Sequence, residues 1–269
     1  MLLYKINTKG EEWILFNFSK KVALIDLKGV ISDGGKDITE RHLEAIYDIA
    51  DSKKYSGIIL RIDSPGGAPA LSQEIHEAIF YAREQDKVVI ASVGGCAASG
   101  GYMIASACEK IFASSTSIIG SIGVIMQLPN YTGLAQKLGV KMVTVKSGEK
   151  KDAGNPFREM SDEEKDYFQN LSSIVYKEFI DIVAKGRGKP LDEIKEIAEG
   201  KIYDGRTALK LGLIDELGGY KDALDSMYEL LETDKITFVD KSVKQRFNIR
   251  EFLGIEAMFE KMFYTTIKM

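Results

Sequence analysis

Ser99 lies in a run of small residues, 96–107, that reads Cys-Ala-Ala-Ser-Gly-Gly-Tyr-Met-Ile-Ala-Ser-Ala. The apolar stretch before the serine predicts a strand, and the small residues after it predict a helix. Small neighbours let a substrate carbonyl approach the hydroxyl, and free amides of the first helical turn stabilise the oxyanion formed on attack. The run therefore presents Ser99 as a nucleophile. Close helix packing is the alternative, and it is the commoner reason for such a run.

Two other segments could complete a site around this serine. Residues 58–67 form a β-branched run that ends in Pro-Gly-Gly, which predicts a buried strand entering a tight loop. The amides of that loop are expected to face a ligand. Residues 145–152 predict the end of a strand followed by a lysine-rich loop, before a helix with a capped start.

Several sequence blocks occur in a fixed order along most of the chain. They are Lys-Val-Ala-Leu-Ile (21–25), Asp-Ser-Pro-Gly-Gly (63–67), Ala-Ala-Ser-Gly-Gly-Tyr (97–102), Thr-Ser-Ile-Ile-Gly-Ser-Ile-Gly-Val (116–124), Lys-Ser-Gly-Glu-Lys-Lys-Asp (146–152), Tyr-Asp-Gly-Arg-Thr-Ala (203–208) and Gly-Leu-Ile-Asp-Glu-Leu-Gly (212–218). With these blocks the chain resembles the signal peptide peptidase A family, Ser-Lys proteases related in fold to the Clp proteases and the crotonases. An ordered set is far more specific than one motif.

The resemblance implies a role for five residues. Ser99 would be the nucleophile and Lys151 the general base, while Gly66 and Gly100 would supply oxyanion-hole amides and Ser121 would hold the lysine amine. A serine hydroxyl needs a nearby base, and a neutral amine can serve as one. Lysine titrates near 10.4 in water, and burial in an apolar cleft lowers that value by several units.

A histidine base is disfavoured by the sequence. The chain has two histidines, His42 and His76, and both stand among charged residues in helical patterns, so a solvated or helix-packing role is expected for each. In the related Clp proteases the histidine follows shortly after the serine, whereas residues 114–124 contain none. If Ser99 is a nucleophile, its base is therefore expected to be an amine.

The choice of amine depends on the resemblance. Lys146, Lys150 and Lys151 lie within six positions, and such a cluster is usually just a solvated loop. The family pattern Ser-Gly-x-x-Lys-Asp selects Lys151, because it directly precedes Asp152. In this family the lysine of one protomer reaches the serine of its neighbour, and members of this size form octameric domes. The resemblance thus implies a homo-oligomer whose active sites are shared between protomers.

Composition excludes several other classes of protein. The 269 residues are 45% hydrophobic and 28% charged, which is typical of a globular protein. The net charge is −4 with no basic stripe, so no nucleic-acid partner is expected. Cys96 and Cys108 form neither a disulfide framework nor a metal-ligand cluster, and both are expected to be small buried thiols. We expect no metal and no cofactor.

The N-terminus lacks the apolar core of a signal peptide or membrane anchor, and no run approaches the roughly 18 apolar residues that span a bilayer. Many members of the family have an N-terminal transmembrane segment, so this chain departs from that pattern. We therefore expect a cytoplasmic or membrane-associated protein without a transmembrane segment in this chain.

Strand and helix patterns alternate along the first part of the chain. Strands are predicted at 22–27, 57–62, 88–93, 110–113 and 141–145, and helices at 41–51, 71–84, 100–108 and 131–138. The near-continuous apolar strands predict a mostly parallel α/β sheet covered on both faces. The resemblance implies repeated β-β-α units of the Clp and crotonase fold.

The second part of the chain is predicted to be mainly helical. Helices are expected from 161 to about 185, at 194–198, 205–211 and 220–232, with a last strand at 235–240. Without a linker or repeat, residues 1–269 are interpreted as one domain, with an α/β core at 21–160 and a helical part at 161–269. The apolar tail 247–269 is expected to pack on the core or a subunit; the alternative is that it inserts into a substrate groove.

These observations favour a Ser-Lys endopeptidase that hydrolyses extended apolar peptides, such as cleaved signal peptides or unfolded segments. Such peptides would bind by adding a strand to a sheet edge, with shallow pockets for alternate side chains. Two alternatives remain: a crotonase-type acyl-CoA enzyme with the same loops around a thioester, and a non-catalytic scaffold that binds peptides.

Overall fold

The described part of the chain contains ten strands, and the longest of them, β3, β4 and β5, are rich in Val and Ile. The computed structural model describes residues 3–5, 13–15, 19–32 and 38–243, and the predicted tail 247–269 lies outside them. The strands are β1 (Leu3–Lys5), β2 (Trp13–Leu15), β3 (Lys20–Ile31), β4 (Tyr55–Gly67), β5 (Val88–Ala98), β6 (Lys110–Ala113), β7 (Ile118–Gly120), β8 (Ile202–Asp204), β9 (Glu216–Leu217) and β10 (Ile236–Asp240).

Among the residues that the structure describes, eight α-helices and a short 3₁₀ helix connect or follow these strands. The helices are α1 (Ile38–Asp51), α2 (Pro69–Glu84), α3 (Gly100–Ser106), α4 (Thr132–Leu138), α5 (Asp162–Arg187), α6 (Leu191–Ile197), α7 (Gly205–Lys210) and α8 (Tyr220–Leu230), with the 3₁₀ helix at Glu149–Asp152. No helix within the described ranges is both long and apolar enough to span a bilayer.

Eight of the strands form one sheet, in the order β10-β3-β4-β5-β6-β9, with β7 beside β5 and β8 beside β7. Every ladder in this sheet is parallel except that of β7 and β8. The first half of β5 pairs with β6, and its last three residues pair with β7. Because β5 separates from β6 towards its carboxyl end, β7 is brought beside the residues that precede Ser99.

The sheet is covered on both faces, as the apolar strands predicted. Adjacent residues of β4, Ile58 and Ile59, are both at most 1% exposed but belong to different apolar clusters. Ile58 packs in the large cluster with α2, α3 and α5, whereas Ile59 packs with Met227 of α8. Since side chains alternate along a strand, this pattern requires apolar residues at consecutive positions.

Most predicted elements are confirmed to within a few residues, but the strand predicted at 141–145 is wrong. These residues form an unpaired, exposed segment in which Val143 is 84% and Val145 is 95% exposed. The β-branched residues match a strand pattern, but no neighbouring strand in the described chain offers hydrogen bonds. Propensity alone does not form a strand without a partner.

The start and end of α5 follow from its sequence. Ser161 and Glu164 form a capping box, in which each side chain accepts a hydrogen bond from the other residue's backbone amide. At the other end Gly188 takes a left-handed conformation, φ 60°. The C-terminal part also adds β8, β9 and β10 to the main sheet, so residues 161–243 share a sheet with the α/β core.

Candidate active site

Ser99 lies at a sharp turn between β5 and α3. Its backbone angles, φ 51° and ψ −125°, are rare for a residue with a side chain. Its amide donates to the Gly120 carbonyl (2.8 Å), and its carbonyl accepts from the amides of Tyr102 and Met103, both at 2.9 Å. A strained strand-to-helix turn displays a side chain above the sheet, which is how hydrolases present a nucleophilic serine.

Gly66 and Gly100 lie directly against this turn. A Cβ on Gly66, whose φ is 96°, would lie 2.6 Å from the Gly100 nitrogen and 2.8 Å from the Ser99 Cβ. A Cβ on Gly100 would lie 2.2 Å from the Oγ of buried Ser72. Both positions therefore require glycine, and the structure brings these two predicted residues together beside Ser99.

The two glycine amides differ in their present partners. Gly100 is the first residue of α3, so its N–H has no partner within the helix. The Gly66 N–H donates to the Ser64 Oγ (3.1 Å), which itself donates to the Gly29 carbonyl (2.6 Å). An oxyanion beside Ser99 would therefore meet the Gly100 amide directly and would share the Gly66 amide with the hydroxyl of Ser64.

Ser121 is brought to the same place by the pairing of β5 with β7. Ala98 lies opposite Gly120, so Ser99 and Ser121 follow the carboxyl ends of neighbouring parallel strands. Both residues after this pair have positive φ, 51° at Ser99 and 52° at Ser121. The Ser121 amide donates to the Lys201 carbonyl (2.7 Å), which fixes the turn from the other side.

A cavity of about 1080 Å³ opens over these residues. Ser99, Ser121 and Gly66 form one part of its lining, and Val124 and Ile125 add an apolar wall. Glu199 is the only carboxylate among its described lining residues, which include no lysine, arginine or histidine. A smaller pocket of about 120 Å³ adjoins Ser99, and Met103, Val175 and Phe179 form its apolar part.

The sequence analysis missed the part of this cavity contributed by α5. Its residues are Gln169, Ser172, Ser173 and Tyr176. Their spacing of three or four positions places them on one face of the helix, because an α-helix repeats every 3.6 residues. That polar stripe was the available signal, but nothing in the sequence of α5 shows which element it faces.

Lys151 does not lie in this cavity. It is exposed in the 3₁₀ helix and is absent from the described lining of the Ser99 cavity. Lys146 pairs with Asp152 and Lys150 with Glu163, both at 2.5 Å. Within the described residues Lys151 has no ion pair. The structure thus brings together Ser99, Gly66, Gly100 and Ser121, and leaves Lys151 outside.

Both histidines are buried within helices, which confirms the helix-packing interpretation, and neither lines the cavity. The Nε2 of His42 lies 3.0 Å from the Asp26 carbonyl. His76 stacks against Phe80, and neither of its ring nitrogens has a partner among the described residues. Burial, reinforced by the nearby cations of Lys185 and Arg83, lowers the pKa of His76 to about 4.

The prediction of buried thiols is confirmed for Cys108 and wrong for Cys96. Cys96 is half-buried, and its amide donates to the Asp63 carboxylate (3.0 Å). Burial raises the pKa of both thiols, that of Cys108 to about 12. The described residues contain no cluster of three or more His, Cys, Asp or Glu that could hold a metal ion.

Comparison with known families decides the class of this site. The model of peptidase family S49 matches residues 81–234, which is more than half of the chain and includes Ser99, Ser121 and Lys151. The chain belongs to peptidase family S49. This S49 protein is therefore a serine-type endopeptidase, and its mixed α/β sheet is the fold shared with the Clp proteases and crotonases.

Similar proteins occur in several lineages. A putative signal peptide peptidase SppA of Enterococcus faecium is 37% identical over 217 residues, which cover 78% of this chain and 63% of that protein. A putative protease of Synechocystis is 40% identical over 219 residues, 81% of this chain and 77% of that protein. The chloroplastic serine protease SPPA of Arabidopsis thaliana is 36% identical over 200 residues, which cover 74% of this chain and 29% of that protein. The predicted resemblance to the SppA family is confirmed.

The chain spans less than two thirds of the Enterococcus protein and less than a third of the Arabidopsis protein. The catalytic residues, substrates and assembly of this S49 peptidase are therefore proposals.

Proposed function

We propose that this S49 peptidase hydrolyses extended apolar peptides with a Ser99–Lys151 dyad. The observation that carries the proposal is the turn at Ser99: the strained serine lines one cavity with Gly66 and Ser121, and Gly100 lies against Gly66 and lines the adjoining pocket. A peptidase needs a nucleophile beside oxyanion donors, and no other described serine combines a positive φ with the start of a buried helix in this cavity.

In the proposed reaction the Ser99 Oγ attacks the carbonyl carbon of the scissile peptide bond. A neutral lysine amine accepts the hydroxyl proton and then delivers it to the nitrogen of the leaving amine. The amides of Gly100 and Gly66 stabilise the negative oxygen of the tetrahedral intermediate. Water then attacks the acyl-enzyme with the same amine as base, which releases the acid and restores Ser99.

We propose that Lys151 acts on the serine of a neighbouring protomer. Within one chain the lysine lies outside the Ser99 cavity. The segment that leads into its loop carries large exposed apolar side chains, among them Val143 (84% exposed) and Val145 (95%). An apolar surface of this kind is typical of a subunit interface. The proposed assembly is a ring-like homo-oligomer, the octameric dome expected from the family.

The cavity lining supports an extended, largely apolar substrate. Val124 and Ile125 provide apolar contacts, while the glycine-rich ends of β4 and β5 leave backbone groups near the serine. The name of the Enterococcus relative refers to signal peptides, whose central segment is apolar. We propose cleaved signal peptides and unfolded protein segments as substrates, met in the cytoplasm or at the membrane surface.

The test is hydrolysis of an apolar fluorogenic peptide by the wild type, Ser99→Ala, Lys151→Ala and an equal mixture of the two variants. Each single variant should lose at least about 1000-fold in kcat, because nucleophile and base act as one unit. Activity restored in the mixture would show that serine and lysine come from different protomers.

Full activity in Lys151→Ala would refute this lysine as the base and direct attention to Lys150. A wild type that binds the peptide without hydrolysing it would favour the peptide-binding scaffold over the peptidase. Binding of coenzyme A thioesters would instead favour the crotonase-type alternative.

A further inference from the structure

A cluster of three charged side chains lies directly beneath the Lys151 loop. The Arg158 guanidinium donates from Nε to the Asp152 carboxylate (3.0 Å) and from Nη2 to the Asp152 carbonyl (2.9 Å). It also binds both carboxylate oxygens of Glu164, at 2.8 and 2.5 Å. We call Asp152, Arg158 and Glu164 the Arg158 brace. A planar guanidinium that binds two carboxylates in this way fixes direction as well as distance.

Glu164 anchors the brace to a rigid element. Its side chain is only 7% exposed, and it accepts a hydrogen bond from the Ser161 amide (3.0 Å) in the capping box of α5. Asp152, only 11% exposed, is the last residue of the 3₁₀ helix and is bonded covalently to Lys151. The brace thus ties the lysine segment to the first turn of the helix whose later turns line the Ser99 cavity.

Two other lysines of the loop are also paired. The Lys146 amine bonds to the Asp152 carboxylate (2.5 Å) and to the Glu149 carbonyl (3.0 Å), and Lys150 pairs with Glu163. Around the brace itself, Arg158 also donates to the Glu159 carbonyl (3.1 Å). These contacts leave Lys151 as the lysine of this loop without an ion pair among the described residues.

The brace remains charged at working pH. Hydrogen bonds from Arg158 and Lys146 lower the pKa of Asp152 to about 2, and those from Arg158 and Ser161 lower the pKa of Glu164 to about 2. Both carboxylates therefore stay ionised well below neutral pH, and the loop keeps its attachment wherever the enzyme could act.

From these contacts we infer that Arg158 is a positioning residue for the general base: it holds the segment with Lys151 in the geometry that lets the amine reach a serine. This inference rests on the proposed role of Lys151. It requires no contact between Arg158 and substrate. An exposed loop has many conformations, and a displacement of the base by about 1 Å costs about 100-fold in rate.

The decisive experiment compares Arg158→Gln with the wild type in peptide hydrolysis from pH 6 to 10. We expect kcat to fall about 100-fold at pH 7, with KM within twofold, because the base and not the substrate site is disturbed. The ascending limb of the rate profile should move to higher pH, since an amine held less firmly in a cleft is more hydrated and retains its proton longer. Arg158→Lys should restore part of kcat.

A matched control removes a cation from the same helix end without touching the loop. Lys165 pairs with Asp162 (2.8 Å) in the first turns of α5, and both side chains are largely exposed. Lys165→Gln should therefore leave kcat and the pH profile unchanged. If Arg158→Gln does not fold, Asp152→Asn provides the test, because it keeps the side-chain shape while removing one charge of the brace.

Two results separate this inference from the proposed function. If Lys151→Ala is inactive but Arg158→Gln loses activity by the same factor at every pH, in proportion to its fall in thermal stability, then Arg158 is only structural and the inference is overturned. If Lys151→Ala retains activity, Lys151 is not the base, and the inference about Arg158 is overturned with it. A shifted profile in Arg158→Gln, with inactive Lys151→Ala, supports both.

Discussion

The serine side and the lysine side of this peptidase are built in different ways. On the serine side, strand pairing and positive φ angles bring Ser99, Gly66 and Gly100 together through backbone contacts in the buried part of the sheet. On the lysine side, an exposed loop is held by side-chain ion pairs around Arg158. Backbone geometry fixes the proposed nucleophile, whereas side-chain charges hold the proposed base, which in the proposed assembly also requires a neighbouring chain.

The difference has a physical origin. A serine that must be strained, and amides that must face one point, need a rigid frame, which a close-packed sheet supplies. In the proposed assembly the base enters another subunit's cavity, so it needs an exposed position, where packing offers little support. Ion pairs to a capped helix end replace that support.

The largest effect is expected for Gly66→Ala. The new Cβ would lie 2.6 Å from the Gly100 nitrogen and 2.8 Å from the Ala98 carbonyl, and φ 96° strains any side chain. Because the backbone of both proposed oxyanion donors must move, peptide hydrolysis should fall at least about 1000-fold. Kinetics on a fluorogenic peptide would measure this loss, and circular dichroism would show whether the secondary structure is retained.

The matched control is Gly133→Ala, in α4 on the lysine side, where a Cβ meets nothing within 4 Å. Alanine there should stabilise the helix by about 0.5–1 kcal/mol and leave activity within twofold. Retention of more than a tenth of wild-type activity in Gly66→Ala would contradict the view that backbone contact fixes the serine side.

Lowering the pH is expected to reduce the free energy of unfolding first through the serine side and, at lower pH, through the lysine side. His76 lies one turn after Ser72, the residue that packs against Gly100, and its pKa is lowered from 6.5 to about 4. The unfolded chain therefore binds a proton at higher pH than the folded protein does. The neutral His76 ring therefore makes its full contribution to the free energy of unfolding above about pH 6.5. That free energy falls by about 3 kcal/mol as the pH drops to 4.

The lysine side should respond only at lower pH. The pKa values of Asp152 and Glu164 are about 2. Their contribution to the free energy of unfolding is therefore present above about pH 4 and is lost between pH 4 and 2. Urea unfolding from pH 7 to 4 at fixed protein concentration would measure the His76 part. In His76→Leu, which removes two unpartnered nitrogens, that part of the pH dependence should vanish. An unchanged pH dependence would show that His76 does not carry it.

The same difference explains what could be predicted from the sequence. The strand that leads to Ser99 and the capped start of α5 are local patterns, and the structure contains both. The tight loop predicted at Pro-Gly-Gly is wrong, because β4 continues to Gly67 and its last residues pair with β3. The packing of α5 over the serine and the contacts of Arg158 link residues through tertiary structure, so no local pattern showed them. The strand predicted at 141–145 is wrong for a related reason, because strand formation depends on a partner strand elsewhere in the chain.

The smallest effect is expected at the small pocket where α3, which follows Ser99, faces α5, which anchors the lysine loop. The pocket of about 120 Å³ beside Ser99 lies between Met103 of α3 and Val175 of α5. Val175→Phe should fill much of this space and lower hydrolysis of peptides with a large apolar residue at the scissile bond about tenfold relative to alanine peptides. Paired peptides that differ only at that residue would measure the ratio of kcat/KM.

Ile174→Phe is the matched control, since the preceding side chain is 67% exposed and does not line the pocket. It should leave the ratio unchanged. If both variants change selectivity equally, bulk anywhere on this stretch of α5 matters and the pocket does not select the side chain. If only Val175→Phe does so, the helix that anchors the lysine loop at its first turn also selects substrate three turns later, and the serine side alone does not define specificity.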